Sequence, residues 1–146
     1  MKISQHIISS LPLAGVYYLI TKNLPAAFLV VISTIAVDID HVLDYVITQK
    51  RIDSIKKMTK AFETFDIVHK NYLLLHSWEA LVLFAVCLFF FPNPYLIAIF
   101  TGYMFHFLCD QVFNSHFLGK YNTKSLFYFF LYRLHMNFDV LPMRKG

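Results

Sequence analysis

The sequence contains few cysteines, few glycines and few charged residues. Two cysteines in 146 residues cannot form a disulfide framework, so packing must hold the chain together. Four glycines and five prolines exclude a collagenous chain and give no sign of a second domain. Charged residues make up 15% of the chain, whereas soluble domains carry about 25%. Because 58% of the residues are apolar, the composition excludes intrinsic disorder and indicates a single membrane domain over residues 1–146.

Four apolar stretches approach the length that a helix needs to cross a bilayer, about 20 residues. They cover residues 7–21, 25–47, 72–91 and 95–113. The stretches are too long for strands and show no long β-branched alternation, so they predict an all-α integral membrane four-helix bundle. The first stretch has a second interpretation, a secretory signal peptide. We expect a retained helix instead, because Pro12 interrupts the stretch and no A-x-A cleavage site follows it.

Basic residues collect on one side of the predicted spans. The connector between Thr48 and Asn71 has an excess of Lys and Arg, and further basic residues follow the fourth stretch. Such an excess marks the cytoplasmic side, so we predict a bacterial-type cytoplasmic (inner) membrane protein with both termini inside. Loop placement accounts for the net charge of +4. We therefore expect membrane lipids, and not nucleic acid, as partners of the basic surface.

One further aromatic stretch follows the fourth span, at residues 124–138. It is too short to cross a bilayer, and it contains Arg133 and His135. These features predict a C-terminal interfacial helix, with Thr123 or Ser125 as its N-cap.

Titratable side chains inside the predicted spans stand out, since each costs about 2.5 to 3.5 kcal/mol on insertion and by default marks function. They form three groups, one in each of the second, third and fourth stretches. Up-and-down connectivity brings all three groups to one layer, on the side of the basic connector. The groups are Asp38, Asp40, His41 and Asp44; His76, Ser77 and Glu79; and His106 and Asp110.

Helical spacing places most of these side chains on shared faces. Gly102, His106 and Asp110 follow one another at intervals of four residues, and the glycine allows a neighbouring helix to approach closely. Asp38 is the exception, because two residues of helix turn it about 200° away from Asp40. Either the second helix opens at this point or Asp38 serves another purpose.

Imidazole and carboxylate groups together favour a divalent transition metal, zinc first, with Mn or Fe as alternatives. We interpret Glu79 and Asp44 as catalytic residues, each acting as a general base or as a partner that orients a ligand. A single buried histidine is more often a hydrogen-bonded core residue, but three groups at one depth favour a site. The predicted metal ligands are Asp38, Asp40, His41, His76, His106 and Asp110.

The remaining histidines have simpler interpretations. His6, His116 and His135 lie near the ends of segments, where an ordinary interfacial histidine is expected. His69 precedes the third stretch by a few residues and can reach the rim of the predicted pocket.

Three short motifs carry a resemblance to a known family. D-I-D-H at 38–41, H-S at 76–77 and G-Y-x-x-H-x-x-x-D at 102–110 resemble the membrane-bound metal-dependent hydrolase family, also described as LexA-binding, inner-membrane-associated hydrolases. That family has P-D-x-D-H, H-R-x-x-T-H-S and G-x-x-x-H-x-x-x-D segments in this order. Val37 and Leu75 depart from the pattern, and His69 with Lys70 stands as a displaced counterpart of the missing H-R pair. The resemblance implies a metal-dependent hydrolase and says little about its substrate.

The leading functional prediction is therefore a membrane-bound hydrolase. In it, metal-activated water attacks an ester or phosphoester of a lipid or another membrane-associated substrate. A metal or proton transporter is one alternative, although the outer halves of the predicted spans lack His, Asp and Glu. A non-catalytic membrane scaffold is another, in which the polar stripes fix only the helix register. The oligomeric state and the number of metal ions stay open.

Overall fold

The structure is a computed structural model that describes residues 3–54, 56–58, 70–114 and 125–139. Over these ranges the chain is helical and forms no β-strand beyond one isolated bridge between Lys70 and Asp139, which confirms the all-α prediction. His69, His116 and the predicted cap Thr123 lie outside the described residues. The helices are α1 (Ile3–Thr21), α2 (Leu24–Ala36), α3 (Ile39–Gln49), α4 (Trp78–Phe90), α5 (Pro94–Val112) and α6 (Phe130–His135).

Helix α2 lies between α1 and α5, with which it makes its main contacts. Its N-cap is Asn23, whose side chain accepts a hydrogen bond from the Ala26 N–H at 3.1 Å. Asn93 caps α5 in the same way, and a proline follows each cap within two residues. These signals fix where both helices begin, because an Asn cap satisfies free N–H groups and proline needs none.

Gly102 is the point of closest approach between α2 and α5. A Cβ atom at this position would lie 2.0 Å from Ser33 Oγ and 2.2 Å from the Val30 carbonyl oxygen. Only glycine leaves room for the α2 backbone here. The close approach expected from the sequence is therefore present, and it lies one turn before His106 on α5.

A turn interrupts the second predicted span in its middle. Helix α2 ends at Ala36, a turn follows at Val37 and Asp38, and α3 begins at Ile39. Both turn residues keep right-handed helical backbone angles, and hydrogen bonds between residues three apart, such as Asp38 N–H to the Ile35 carbonyl at 3.1 Å, tighten the chain here, so the helix is interrupted but does not open. Taken together, Leu24–Gln49 is the one stretch in the described part of the chain that is long and apolar enough to cross a membrane, by length and composition.

The third predicted span, residues 72–91, is helical only from Trp78 onward. Helix α4 has 13 residues and a length of about 20 Å, less than the roughly 30 Å of a hydrocarbon core. It begins at Trp78 because Ser77 is its N-cap, with Oγ accepting from the Ala80 N–H at 3.3 Å. The residues just before it form an irregular segment, 70–77, whose N–H groups bond to carboxylates of α3.

The C-terminal part differs from the predicted helix over 124–138. A 3-10 turn at Ser125–Tyr128 precedes α6, which has only six residues. This part packs against the rest of the protein, since the Phe138 carbonyl accepts from the Asn71 N–H at 3.0 Å. In addition, the Tyr128 hydroxyl donates to the Asp110 carbonyl at 3.0 Å. The predicted surface helix is therefore a shorter element that closes over segment 70–77.

Candidate metal centre

Three helices, the α2–α3 turn and segment 70–77 converge on one group of imidazole and carboxylate side chains, which we call the His/Asp cluster. Its ligand atoms fall into overlapping groups of three, and within each group all atoms lie within 4.8 Å of one another. Most members are buried. The members are His6 from α1, Asp38 from the turn, His41 from α3, His76 from the segment, and His106 and Asp110 from α5.

The centre of the cluster is a triangle of three ligand atoms. His76 Nε2 and His106 Nε2 are 3.1 Å apart, and Asp110 Oδ2 lies 3.7 Å and 3.6 Å from them. With bonds of about 2.0–2.1 Å, two atoms on the same zinc ion lie no more than about 4.2 Å apart. The triangle therefore has dimensions that suit a divalent transition metal.

The other ring nitrogens of these histidines have their own partners. His106 Nδ1 lies 2.6 Å from the Thr34 carbonyl oxygen, which can only accept, so this nitrogen carries a hydrogen. His76 Nδ1 faces Asp40 Oδ2 at 3.3 Å. With its hydrogen on Nδ1, each ring would direct an Nε2 lone pair toward the other, in the arrangement by which metal-binding histidines are oriented. The contact between His106 and the Thr34 carbonyl forms because Gly102 lets α2 and α5 approach closely.

Asp40 lies behind His76 and outside the groups of three. Its Oδ2 accepts from the backbone N–H of Leu75 at 2.6 Å and of His76 at 3.2 Å. The predicted ligand Asp40 thus holds the irregular segment and the His76 ring in place. Tyr103 supports the same segment through a hydrogen bond from its hydroxyl to the Leu75 carbonyl.

The turn between α2 and α3, at Val37 and Asp38, brings both Asp38 and His41 to the cluster. Asp38 Oδ1 lies 3.7 Å from His106 Nε2 and 4.0 Å from His41 Nε2. The His41 ring lies 4.5 Å from the His76 ring, centroid to centroid. In a continuous helix Asp38 and Asp40 would face nearly opposite directions, so the turn at Val37 and Asp38 is what adds Asp38 to the site.

His6 belongs to the cluster, although the sequence suggested an ordinary interfacial histidine. Its Nε2 lies 3.1 Å from Asp110 Oδ1, and its ring stacks on His106 with centroids 4.0 Å apart. His6 is 1% exposed. The signal for His6 is its position near the start of α1, because α1 begins at the end of the bundle where α5 ends.

The two predicted catalytic carboxylates lie outside the cluster. Asp44 Oδ1 accepts from the Tyr72 N–H at 3.0 Å, and its Oδ2 is buried without a hydrogen-bond partner in the described ranges. Glu79 instead accepts from two N–H groups at the start of α6, those of Phe130 at 2.8 Å and Leu131 at 3.0 Å. Both oxygens of Glu79 are thus used to hold α6.

Arg133, predicted to lie on a membrane surface, is fully buried. Its Nη2 donates to the Leu73 carbonyl at 2.7 Å, and its guanidinium lies over the Phe127 ring. Burial lowers the pKa of Arg133 to about 10, against the opposing effect of the Asp40 and Glu79 carboxylates. The group therefore stays charged at neutral pH and secures the backbone that leads to His76.

Comparisons with protein-family models, curated proteins and solved structures find no match to this chain. We therefore infer the chemistry of the site from its geometry alone. A buried group of imidazoles and carboxylates can hold a metal ion, and oriented imidazoles with carboxylate neighbours are the ligand set that zinc, iron and manganese accept.

Proposed function

We propose that this chain is an integral membrane protein with a metal-dependent hydrolase site at the His/Asp cluster. Large apolar side chains that face outward support the membrane part, for example Ile20, 77% exposed, and Phe89, 81% exposed. Soluble monomers rarely expose large apolar surfaces. The proposal includes the four-helix arrangement in a bacterial-type inner membrane, with both termini on the cytoplasmic side.

The observation that carries the metal site is the 3.1 Å separation of His76 Nε2 and His106 Nε2. Two imidazole lone pairs at this distance repel each other unless a cation lies against both. A shared proton can relieve the repulsion, but a metal ion also uses Asp110 Oδ2, which lies 3.6–3.7 Å from both nitrogens. The third ligand atom therefore favours the metal ion, and zinc is our first choice because His and carboxylate ligands suit it.

A divalent ion held by these residues supplies Lewis acidity, which polarises an ester or phosphoester and makes water a better nucleophile near neutral pH. The chain's own residues orient the site. Asp40 fixes the His76 ring, and the Thr34 carbonyl fixes that of His106. Asp44 is our candidate for the proton acceptor, because its buried Oδ2 has no hydrogen-bond partner in the described ranges. Glu79 is less suited to the role, since both of its oxygens hold α6.

Elemental analysis of the full chain, purified in detergent, tests the metal site directly. We expect stoichiometric transition metal in the wild-type protein and its loss in the double variant His76→Ala, His106→Ala. His135→Ala is a matched control, since His135 is exposed on α6 and should keep the metal. Absence of metal from the wild-type protein, or equal metal in the double variant, would overturn the site.

Hydrolysis is tested separately with a panel of carboxylic esters and phosphodiesters, including lipid-like ones in mixed micelles. We expect turnover that requires the metal and is lost in the double variant. A metal-loaded protein that hydrolyses none of these substrates would refute the hydrolase proposal and leave the metal site standing. Metal flux into proteoliposomes by the same preparation would favour the transporter.

A further inference from the structure

The His/Asp cluster contains more ligands than one zinc ion uses. Zinc sites in proteins take three or four ligands from side chains, and the cluster offers six side chains. An ion on the central triangle would use only His76, His106 and Asp110. His6 and His41 each have a nitrogen within 4.8 Å of an Asp110 oxygen, yet an ion on the triangle would use neither ring.

Two of the groups of three divide the histidines evenly. One group is His6, His106 and Asp110, and the other is His41, His76 and Asp110. They have one member in common, Asp110. Each group therefore offers two imidazoles and a carboxylate, and no histidine has to serve both groups.

The orientation of Asp110 suits a residue shared between two ions. Its Oδ1 lies 3.1 Å from His6 Nε2, while its Oδ2 lies 3.7 Å from His76 Nε2. Oδ2 also lies 3.6 Å from His106 Nε2 of the first group, so the Asp110 carboxylate contacts both groups. A carboxylate that uses one oxygen for each of two cations is a common way to join metals in two-ion sites, in which the ions are close together.

Asp38 is a second carboxylate between the two groups. Its Oδ1 lies 3.7 Å from His106 of one group and 4.0 Å from His41 of the other. Its Oδ2 is buried and has no hydrogen-bond partner in the described part of the chain. A buried carboxylate oxygen is costly when unpaired, and two adjacent cations would satisfy it.

We propose that the His/Asp cluster binds two divalent transition-metal ions, one held by His6 and His106 and the other by His41 and His76, with Asp110 bridging them. This inference rests on the metal site of the proposed function and adds the number of ions and the role of His6. In the two-ion site His76 and His106 would bind different ions, so the 3.1 Å separation of their Nε2 atoms would have to lengthen on loading.

Metal content and magnetic coupling test this inference without any measurement of activity. The metal-free full chain in detergent is loaded with Zn²⁺ or Mn²⁺, desalted and analysed for metal per chain. We expect two ions in the wild-type protein and in His135→Ala. We expect about one ion in His6→Ala and in the milder His6→Gln. The Mn²⁺-loaded wild-type protein should give the EPR signal of coupled ions, and His6→Ala that of an isolated ion.

The outcomes separate this inference from the proposed function. One ion per chain in the wild-type protein, or two coupled ions retained in both His6 variants, overturns the two-ion site and leaves a metal site in place. No bound ion in the wild-type protein overturns both. Circular dichroism and gel filtration of each His6 variant establish that it is folded, and if neither variant folds, the count and the EPR signal of the wild-type protein decide.

Discussion

Replacing Gly102 by alanine should destabilise the protein. The added Cβ would lie 2.2 Å from the Val30 carbonyl oxygen, where ordinary contacts are 3.4–4 Å. The α2 backbone would therefore have to retreat by about 1.2 Å, and overpacking of this kind costs about 1–3 kcal/mol. The Ser33 side chain can rotate away, but the Val30 carbonyl belongs to the helix and cannot.

Gly15→Ala is the matched control, because no atom lies within 4 Å of a Cβ built at Gly15 in α1. Alanine favours a helix over glycine by about 1 kcal/mol, so this variant should be slightly more stable than the wild-type protein. The same helix gain partly offsets the clash at Gly102, for which we expect a net loss of up to about 2 kcal/mol. For a chain of this size, 1 kcal/mol corresponds to about 2–4 °C in Tm.

Thermal unfolding in detergent, followed by circular dichroism, measures both variants. We expect Gly102→Ala to unfold several degrees below the wild-type protein and Gly15→Ala at or above it. Metal affinity should fall only in Gly102→Ala, because a displaced α2 lengthens the 2.6 Å contact between His106 and the Thr34 carbonyl. If Gly102→Ala unfolds at or above the temperature of Gly15→Ala, the close packing of α2 on α5 is wrong.

Three further predictions concern the surroundings of the site. Chelation of the metal should lower Tm, and zinc should restore it, since a ligand at 100 times its Kd stabilises by about 2.7 kcal/mol. Glu79→Gln should cost about 1 kcal/mol, because it weakens charge-assisted bonds to two N–H groups, while elemental analysis finds unchanged metal. Arg133→Met should cost about 2 kcal/mol, since it removes the charged donor to the Leu73 carbonyl. It should also reduce bound metal, because the segment that carries His76 loosens.

Composition and periodicity predicted the helical class and five of the six residues that meet in the cluster, but they missed His6 and counted Asp40 as a ligand. Polar groups are costly in an apolar bundle, so they are expected to lie together. The positions of His76, His106 and Asp110 along their predicted spans were enough to predict that these three residues meet. The role of Gly102 could also be predicted, because a glycine on the polar face of a helix allows a neighbouring helix to approach closely. His6 could have been predicted in the same way, because it is the one His, Asp or Glu in α1 and lies close to the start of that helix.

Other features depend on contacts between distant residues and could not be found by local rules. Asp40 and Asp44 satisfy N–H groups of segment 70–77, about 30 residues away, so residues that look helical stay irregular. Because α4 starts only at Trp78, His76 and Glu79 do not lie on one helix. Glu79 turns to α6 instead.

The residues of the His/Asp cluster come earlier in the chain than two of the residues that hold segment 70–77 in place. Every member of the His/Asp cluster has been synthesised once the ribosome passes Asp110. The Leu73 carbonyl and the Asn71 N–H obtain their partners, Arg133 and Phe138, only later. An ion captured during translation would therefore meet a segment 70–77 that Asp40 and Tyr103 already hold but Arg133 does not, so tight binding is expected only after the chain is complete.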